Sequence, residues 1–170
     1  CNGGIPTSSD SVIIAGVITV NLNESTEIGS LVIGNESGQK TILNFNYDAV
    51  SDGPLIVSSG DIVVYEGSEI THTINNSDTP VARIKIDVSA GSLFVNGKIN
   101  VKGKGYGGGI NSRVNGYGPG PGIGRTGGDQ GAGGGAHGGD GGNGDQKAGG
   151  KAYGTFNNPQ DLGSGGGYGI

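Results

Sequence analysis

The sequence predicts an all-β chain: a right-handed parallel β-helix with a coil of about 31 residues, then a long glycine-rich segment with little regular structure. Three observations lead there. Residues 1–102 contain short runs of β-branched and aliphatic residues bounded by Gly, Asn, Asp and Ser, with no sustained period of 3.6. A five-residue pattern recurs at a fixed offset of 31: Gly29-Ser30-Leu31-Val32-Ile33, Gly60-Asp61-Ile62-Val63-Val64 and Gly91-Ser92-Leu93-Phe94-Val95. Of the 40 glycines, 11 fall in 1–102 and 29 in 103–170, so the chain is two chemically different segments.

The strands expected in the first segment are Val12-Ile13-Ile14, Val17-Ile18-Thr19-Val20, Leu31–Ile33, Thr41–Phe45, Leu55–Val57, Ile62–Val64 and Ile84–Val88. The 31-residue pattern says that one coil alone cannot bury its inner face, whereas stacked coils bury ladders of like residues. Those ladders are Leu31–Ile62–Leu93 and Ile33–Val64–Val95, and Val12–Val20 supplies a further N-terminal coil. Residues 1–11 read as a polar tether or cap, and 12–102 as the solenoid. Asn75-Asn76-Ser77-Asp78-Thr79-Pro80 reads as ordinary turn chemistry, and His72 as an outward strand position. A β-sandwich or jelly roll remains the alternative, because antiparallel strands also recur with turn signals at short spacing.

From Gly103 to Ile170 there is almost nothing to bury except backbone. Ordering glycine costs more entropy than ordering any other residue. Order in 103–170 therefore requires close chain packing with inter-segment N–H···O=C bonds, as a packed loop or as extended polyproline-like strands.

Several stretches of this segment form a set: Asn96 to Gly109, the spaced Gly131-Ala132-Gly133-Gly134-Gly135-Ala136-His137-Gly138-Gly139-Asp140-Gly141-Gly142, Ala152-Tyr153-Gly154, Asn158-Pro159 and Leu162 to Gly167. The set resembles a glycine-rich module of large secreted or surface-anchored repeat proteins, where it interrupts a pectin-lyase-like parallel β-helix. The resemblance covers about 91–170. It implies an extracellular stalk or adhesin-like role, with a further coil after the glycine run. This chain stops at Tyr168-Gly169-Ile170, so a fragment, a processed product, or a neighbouring subunit that supplies the missing strand are the readings it leaves.

Composition excludes several classes. The net charge is −5, and the acidic first segment carries no basic stripe to neutralise phosphates, so nucleic acid is not expected as a partner. No stretch approaches the roughly 20 apolar residues of a membrane-spanning helix. Gly116-Tyr117-Gly118-Pro119-Gly120-Pro121-Gly122-Ile123-Gly124 lacks the strand–helix context of a nucleotide fingerprint. His137, Asp140 and Asp145 read as solvated loop residues, since Ca²⁺ wants six to eight oxygens and the Gly/Asp motif does not recur. No metal, cofactor or catalytic residue is assigned. Asp48, Asp52, Asp61, Glu66, Glu69, Asp78 and Asp87 are scattered along the chain and form no acidic ladder, so an enzyme is not expected.

Two features point to sites. Cys1 is the only cysteine and precedes a polar, flexible stretch, as in a processed lipoprotein acylated on Cys1, which would be the one link to a membrane. Tyr106, Tyr117, Tyr153, Phe156 and Tyr168, each among glycines, either form a contact surface or anchor the segment. Three sequons, at Asn23, Asn35 and Asn75, matter only in a glycosylating host. The expectation is a structural or adhesive protein, extracellular or on a cell surface, whose partners are copies of itself, neighbouring surface proteins or glycans, with assembly into a filament or sheath. A glycan-binding or phage-type adhesin module and a polysaccharide-degrading β-helix are the alternatives.

Overall fold

A computed structural model describes residues 5–111, 114–125, 131–155, 157 and 159–169. It is all-β, with no helix among the described residues. The chain divides into two compact units, one of residues 1–73 and 81–101, the other of 74–80 and 102–170.

Among the described residues the first unit holds eleven strands: β1 (Ser11–Ile14), β2 (Ile18–Leu22), β3 (Thr26–Ile28), β4 (Ser30–Ile33), β5 (Thr41–Phe45), β6 (Leu55–Val57), β7 (Ile62–Val64), β8 (Glu69–His72), β9 (Ile86–Val88), β10 (Leu93–Val95) and β11 (Lys98–Ile99). Every pairing between them is parallel, whereas a sandwich or jelly roll is built from antiparallel neighbours. Strands three apart in the chain become neighbours and give three sheets, ordered β1-β4-β7-β10, β11-β8-β5-β2 and β3-β6-β9. Below these are called the first, second and third sheets.

The register puts like residues in columns. In the first sheet Val12, Leu31, Ile62 and Leu93 stack, as do Ile14, Ile33, Val64 and Val95. In the second sheet Val20, Leu43, Ile70 and Ile99 stack, as do Leu22, Phe45 and His72. Period-two alternation turns these residues into a shared interior, where Leu31, Ile33, Phe45, Val57, Ile62, Val64 and Ile70 are buried. Polar residues stack on the outer face, where the Asn44 amide donates to Asn21 Oδ1 at 2.9 Å and the Asn46 amide to Asn23 Oδ1 at 3.0 Å.

The step from β4 to β7 to β10 is the 31 residues of the sequence repeat, but the step from β1 to β4 is 19 (Ser11 to Ser30). Coil length varies because the corners between sheets differ in length, while the strands stay in register. Glycine is required at one such corner. A Cβ on Gly91, whose φ is +117°, would strike the carbonyl group of Gly60 in the coil beneath.

His72 differs from the outward reading. It is 2% exposed and sits in the interior column behind Phe45, with Nδ1 2.8 Å from the Thr73 carbonyl oxygen. The alternation Ile70–His72 carries it inward.

The second unit has no strands among its described residues but a regular backbone pattern. Pairings between its segments recur every third residue. Tyr106 and Gly109 N–H donate to Gly163 and Gly166, at 2.8 Å each. Gly133 and Ala136 donate to Ile123 and Gly120, and accept from Gly167 and Ser164. Gly150 and Tyr153 donate to Gly134 and His137. A step of three is the turn of polyproline II, which has no internal hydrogen bonds and so leaves its amides free to pair between chains. Most of these glycines are there for proximity rather than for positive φ. A Cβ on Gly124, Gly133, Gly149, Gly150 or Gly165 would overlap a neighbouring carbonyl oxygen.

Residues 74–80 belong to this second unit rather than to the stack of coils around them in sequence. The fully buried Asn75 donates its amide to the Lys104 carbonyl at 3.1 Å, and Asp78 Oδ1 accepts from Gly118 N–H at 3.1 Å. This stretch is more than turn chemistry, because its side chains satisfy backbone groups of the glycine segments.

Candidate functional site

The two ends of the coil stack are the least complete parts of the first unit. Among the described residues the first coil, β1 to β3, has neighbouring strands on one side only. Beside it opens an apolar cavity of about 340 Å³ lined by Ile5, Val12, Ile14, Val20, Leu22 and Leu31, among others. Ile5 is 80% exposed. Asp10 fixes the approach to β1: its carbonyl accepts Gly29 N–H at 2.9 Å, and its carboxylate accepts the Thr7 N–H and hydroxyl at 2.7 Å each. Those bonds from Thr7 hold the Asp10 carboxyl below its ordinary value.

At the other end β10, β11 and β9 are edge strands. Leu93 is 43% exposed, against 1% for Leu31 in the same column, and Phe94, Val95, Ile99 and Val101 are also exposed. Among the described residues the last coil has strands in the first and second sheets only. Its outer face is tied to the coil beneath, where Lys98 pairs with Glu69 at 3.2 Å and the Asn100 amide donates to Glu69 Oε1 at 3.0 Å. Asp61 Oδ1 accepts Ser92 N–H at 2.8 Å.

Asp48 and Arg83 form a clamp between coils, with Nε to Oδ1 and Nη2 to Oδ2 both at 2.6 Å. Burial works to raise the Asp48 carboxyl. Hydrogen bonds from Arg83 and Ser51, together with the guanidinium charge, outweigh it and hold the group below its ordinary value. Tyr47 stacks on Phe45 at 5.9 Å, and burial pushes its phenol up to about 12, with the Asp52 charge adding to the effect. Asp48, Asp61 and Glu69 are thus occupied in joining coils, and nothing in the scatter of acids across the sequence announced these partners.

In the second unit a cleft of about 470 Å³ is lined by His137, Gly138, Ala152, Tyr153, Gly154, Thr155 and Pro159. The rings of His137 and Tyr153 meet edge to face at 5.2 Å. The Tyr153 hydroxyl donates to the Leu162 carbonyl and accepts from Ser164 Oγ at 2.8 Å. Burial raises the Tyr153 phenol above its ordinary value. Asp140 accepts Ala152 N–H at 2.7 Å and Lys151 Nζ at 3.0 Å. His137 Nε2 lies 3.1 Å from the Asp161 carbonyl oxygen. Among the described residues no cluster of three or more His, Cys, Asp and Glu is arranged to hold a metal.

Tyr106, Tyr117, Tyr153 and Tyr168 are half-buried. The Tyr106, Tyr117 and Tyr153 rings lie over Gly118, Gly107 and Gly120, filling the space a side chain would take. Cys1 and Phe156 lie outside the described residues. No helix among the described residues is long and apolar enough to cross a membrane. Compared with protein-family models, curated proteins and solved structures, the chain matches none.

Proposed function

We propose that this chain is a structural element of an extracellular or cell-surface assembly, a right-handed parallel β-helix carrying a backbone-packed glycine module. The right hand is supported by the near-universal handedness of parallel crossovers. One observation carries the structural role: among the described residues the edges of β9, β10 and β11 carry no further strand, and the Leu93 and Val95 columns are open. Edges of this kind recruit further strands. The resemblance of 91–170 to glycine-rich surface modules points the same way, and an acyl chain on Cys1 would hold the assembly at a membrane. Electron microscopy and sedimentation of the purified chain test the role. Filaments or extended oligomers are expected, and a monodisperse monomer at about 100 μM would refute it.

The cleft at His137 and Tyr153 supports a second reading, a glycan-binding adhesin module, because an edge-to-face aromatic pair beside exposed backbone suits a sugar ring. Binding on a glycan array is the outcome it requires, and silence on the array would remove it.

A further inference from the structure

We infer that the open end at β10 and β11 takes the β1 and β2 end of a second copy of this chain, so that copies stack head to tail with the coil columns continuing across the junction. This rests on the joining role proposed above and adds its partner, polarity and register.

The columns specify the fit. A second copy's β1 laid parallel beside β10, in the register every other pair in the sheet uses, sets its Val12 on Leu93 and its Ile14 on Val95. Its Ser11 falls on Ser92, as Ser11 already meets Ser30 through a 2.9 Å hydroxyl bond. Beside β11, its Val20 falls on Ile99 and, one position past the strand, its Asn21 falls on Asn100, polar over polar on the outer face. Apolar residues meet apolar and polar meet polar at each position.

The two ends also complete one another in strand count. Among the described residues the last coil has no strand in the third sheet, which ends at β9. The first coil is preceded by residues 5–10, which approach on the third-sheet side. There Ile5 and Pro6 share a cavity wall with Thr26 and Ile28 of β3, and Asp10 bonds Gly29 at the corner leading to β4. Head-to-tail stacking brings this segment into the gap and covers Ile5.

Charge disfavours one alternative. Residues 5–28 carry Asp10, Glu24 and Glu27 and no base, whereas in 81–101 Arg83 and Lys98 are already paired with Asp48 and Glu69, and Lys85 is balanced by Asp87. Head-to-head contact sets acid against acid, whereas head-to-tail contact sets the acidic end against a balanced one. A heterologous contact of this kind propagates rather than closing as a dimer.

The test is disulfide trapping in the full chain with Cys1→Ser. Ile13 and Phe94 occupy the same outward column, so Ile13 of one copy would face Phe94 of the next at the strand spacing of about 4.8 Å, within disulfide reach. Ile13→Cys with Phe94→Cys should give a reducible ladder of dimers, trimers and longer species, while either substitution alone should leave monomers on a denaturing gel. Dimers from Phe94→Cys alone would mean tail-to-tail pairing and overturn the proposal. Filaments without the ladder would overturn this interface while leaving the structural role standing, and monomers at every concentration would remove both. Val95→Lys, at a position already exposed in the single chain, should retain the fold and weaken assembly at least about tenfold. Unchanged assembly in that variant would also overturn the proposal.

Discussion

Replacing Gly133 by Ala tests whether the glycine unit is held by backbone contact. A Cβ at Gly133 would overlap the Ala148 carbonyl oxygen, and would stand 2.5 Å from the Ala148 carbonyl carbon and 2.8 Å from Gly149 N. Ordinary van der Waals contact needs about 3.5 Å, so one segment must retreat by about 1 Å or more. Gly133 sits between two partners: its N–H donates to Ile123, and its carbonyl accepts from Gly167, both at 2.9 Å. Retreat from Ala148 therefore loosens bonds on both sides. Overpacking of this kind costs about 1–3 kcal/mol. The control is Gly163→Ala. A Cβ there meets nothing within 4 Å, although the Gly163 carbonyl accepts from Tyr106 at 2.8 Å. Its φ lies outside the left-handed region, so the alanine should be neutral or should stabilise by about 0.4–1 kcal/mol through the unfolded chain. Amide exchange read by mass spectrometry over 131–137 and 162–168 should accelerate roughly 5- to 150-fold in Gly133→Ala and stay level or slow in Gly163→Ala. Equal behaviour of the two variants would refute close backbone packing as the source of order.

Three further outcomes follow from the first unit. Leu31→Ala should cost about 2–5 kcal/mol by denaturant unfolding, whereas Leu93→Ala in the same column should cost under about 1 kcal/mol in dilute monomer, because Leu93 is already 43% exposed. Arg83→Met should cost about 1.5–3 kcal/mol. Because the folded Asp48 carboxyl lies below its ordinary value, the clamp's contribution is full above the unfolded value near 4 and fades as pH falls through the lower folded value, so unfolding midpoints of Asp48→Asn should depend less steeply on pH below about 4 than those of the parent. Among the described residues the buried Tyr47 hydroxyl has no hydrogen-bond partner, so Tyr47→Phe should hold or raise stability. With the folded phenol at about 12, the parent loses stability as pH rises from about 10 toward 12 while the unfolded chain ionises, and thermal melts of Tyr47→Phe should lack that component.

The interior columns of the first sheet were legible because their offset is constant and their residues are apolar at each recurrence. Three strands were not. In β3 (Thr26-Glu27-Ile28), β8 (Glu69-Ile70-Thr71-His72) and β11 (Lys98-Ile99) a charged residue and a single aliphatic one stand in place of the aliphatic run that marks strands of similar length such as β6 and β7. Misreading β8 carried His72 to the wrong face, since a shift of one residue reverses every side chain. The 19-residue first coil was hidden because two of its corners are shorter while its strands look like all the others. The Asp48–Arg83 clamp spans 35 residues, and no local pattern marks it. In the glycine unit the need for backbone pairing could be argued from entropy, but the partners could not be named. Pairing every third residue leaves no side-chain signature when the paired positions are mostly glycine and alanine.

The step-three pairing also shapes how the glycine unit responds to temperature. Unfolding a conventional domain exposes apolar side chains and raises the heat capacity by about 12–15 cal/mol/K per residue. Here unfolding exposes mainly peptide groups, whose hydration lowers the heat capacity and offsets the small apolar term. The stability curve of this unit is therefore broad and shallow, with little strengthening on warming from the cold and little cold denaturation. The coil stack, closed around Phe45, Leu31 and Ile33, has the ordinary curvature. One chain thus joins two thermal regimes, and cooling weakens the side-chain-packed unit before the backbone-packed one.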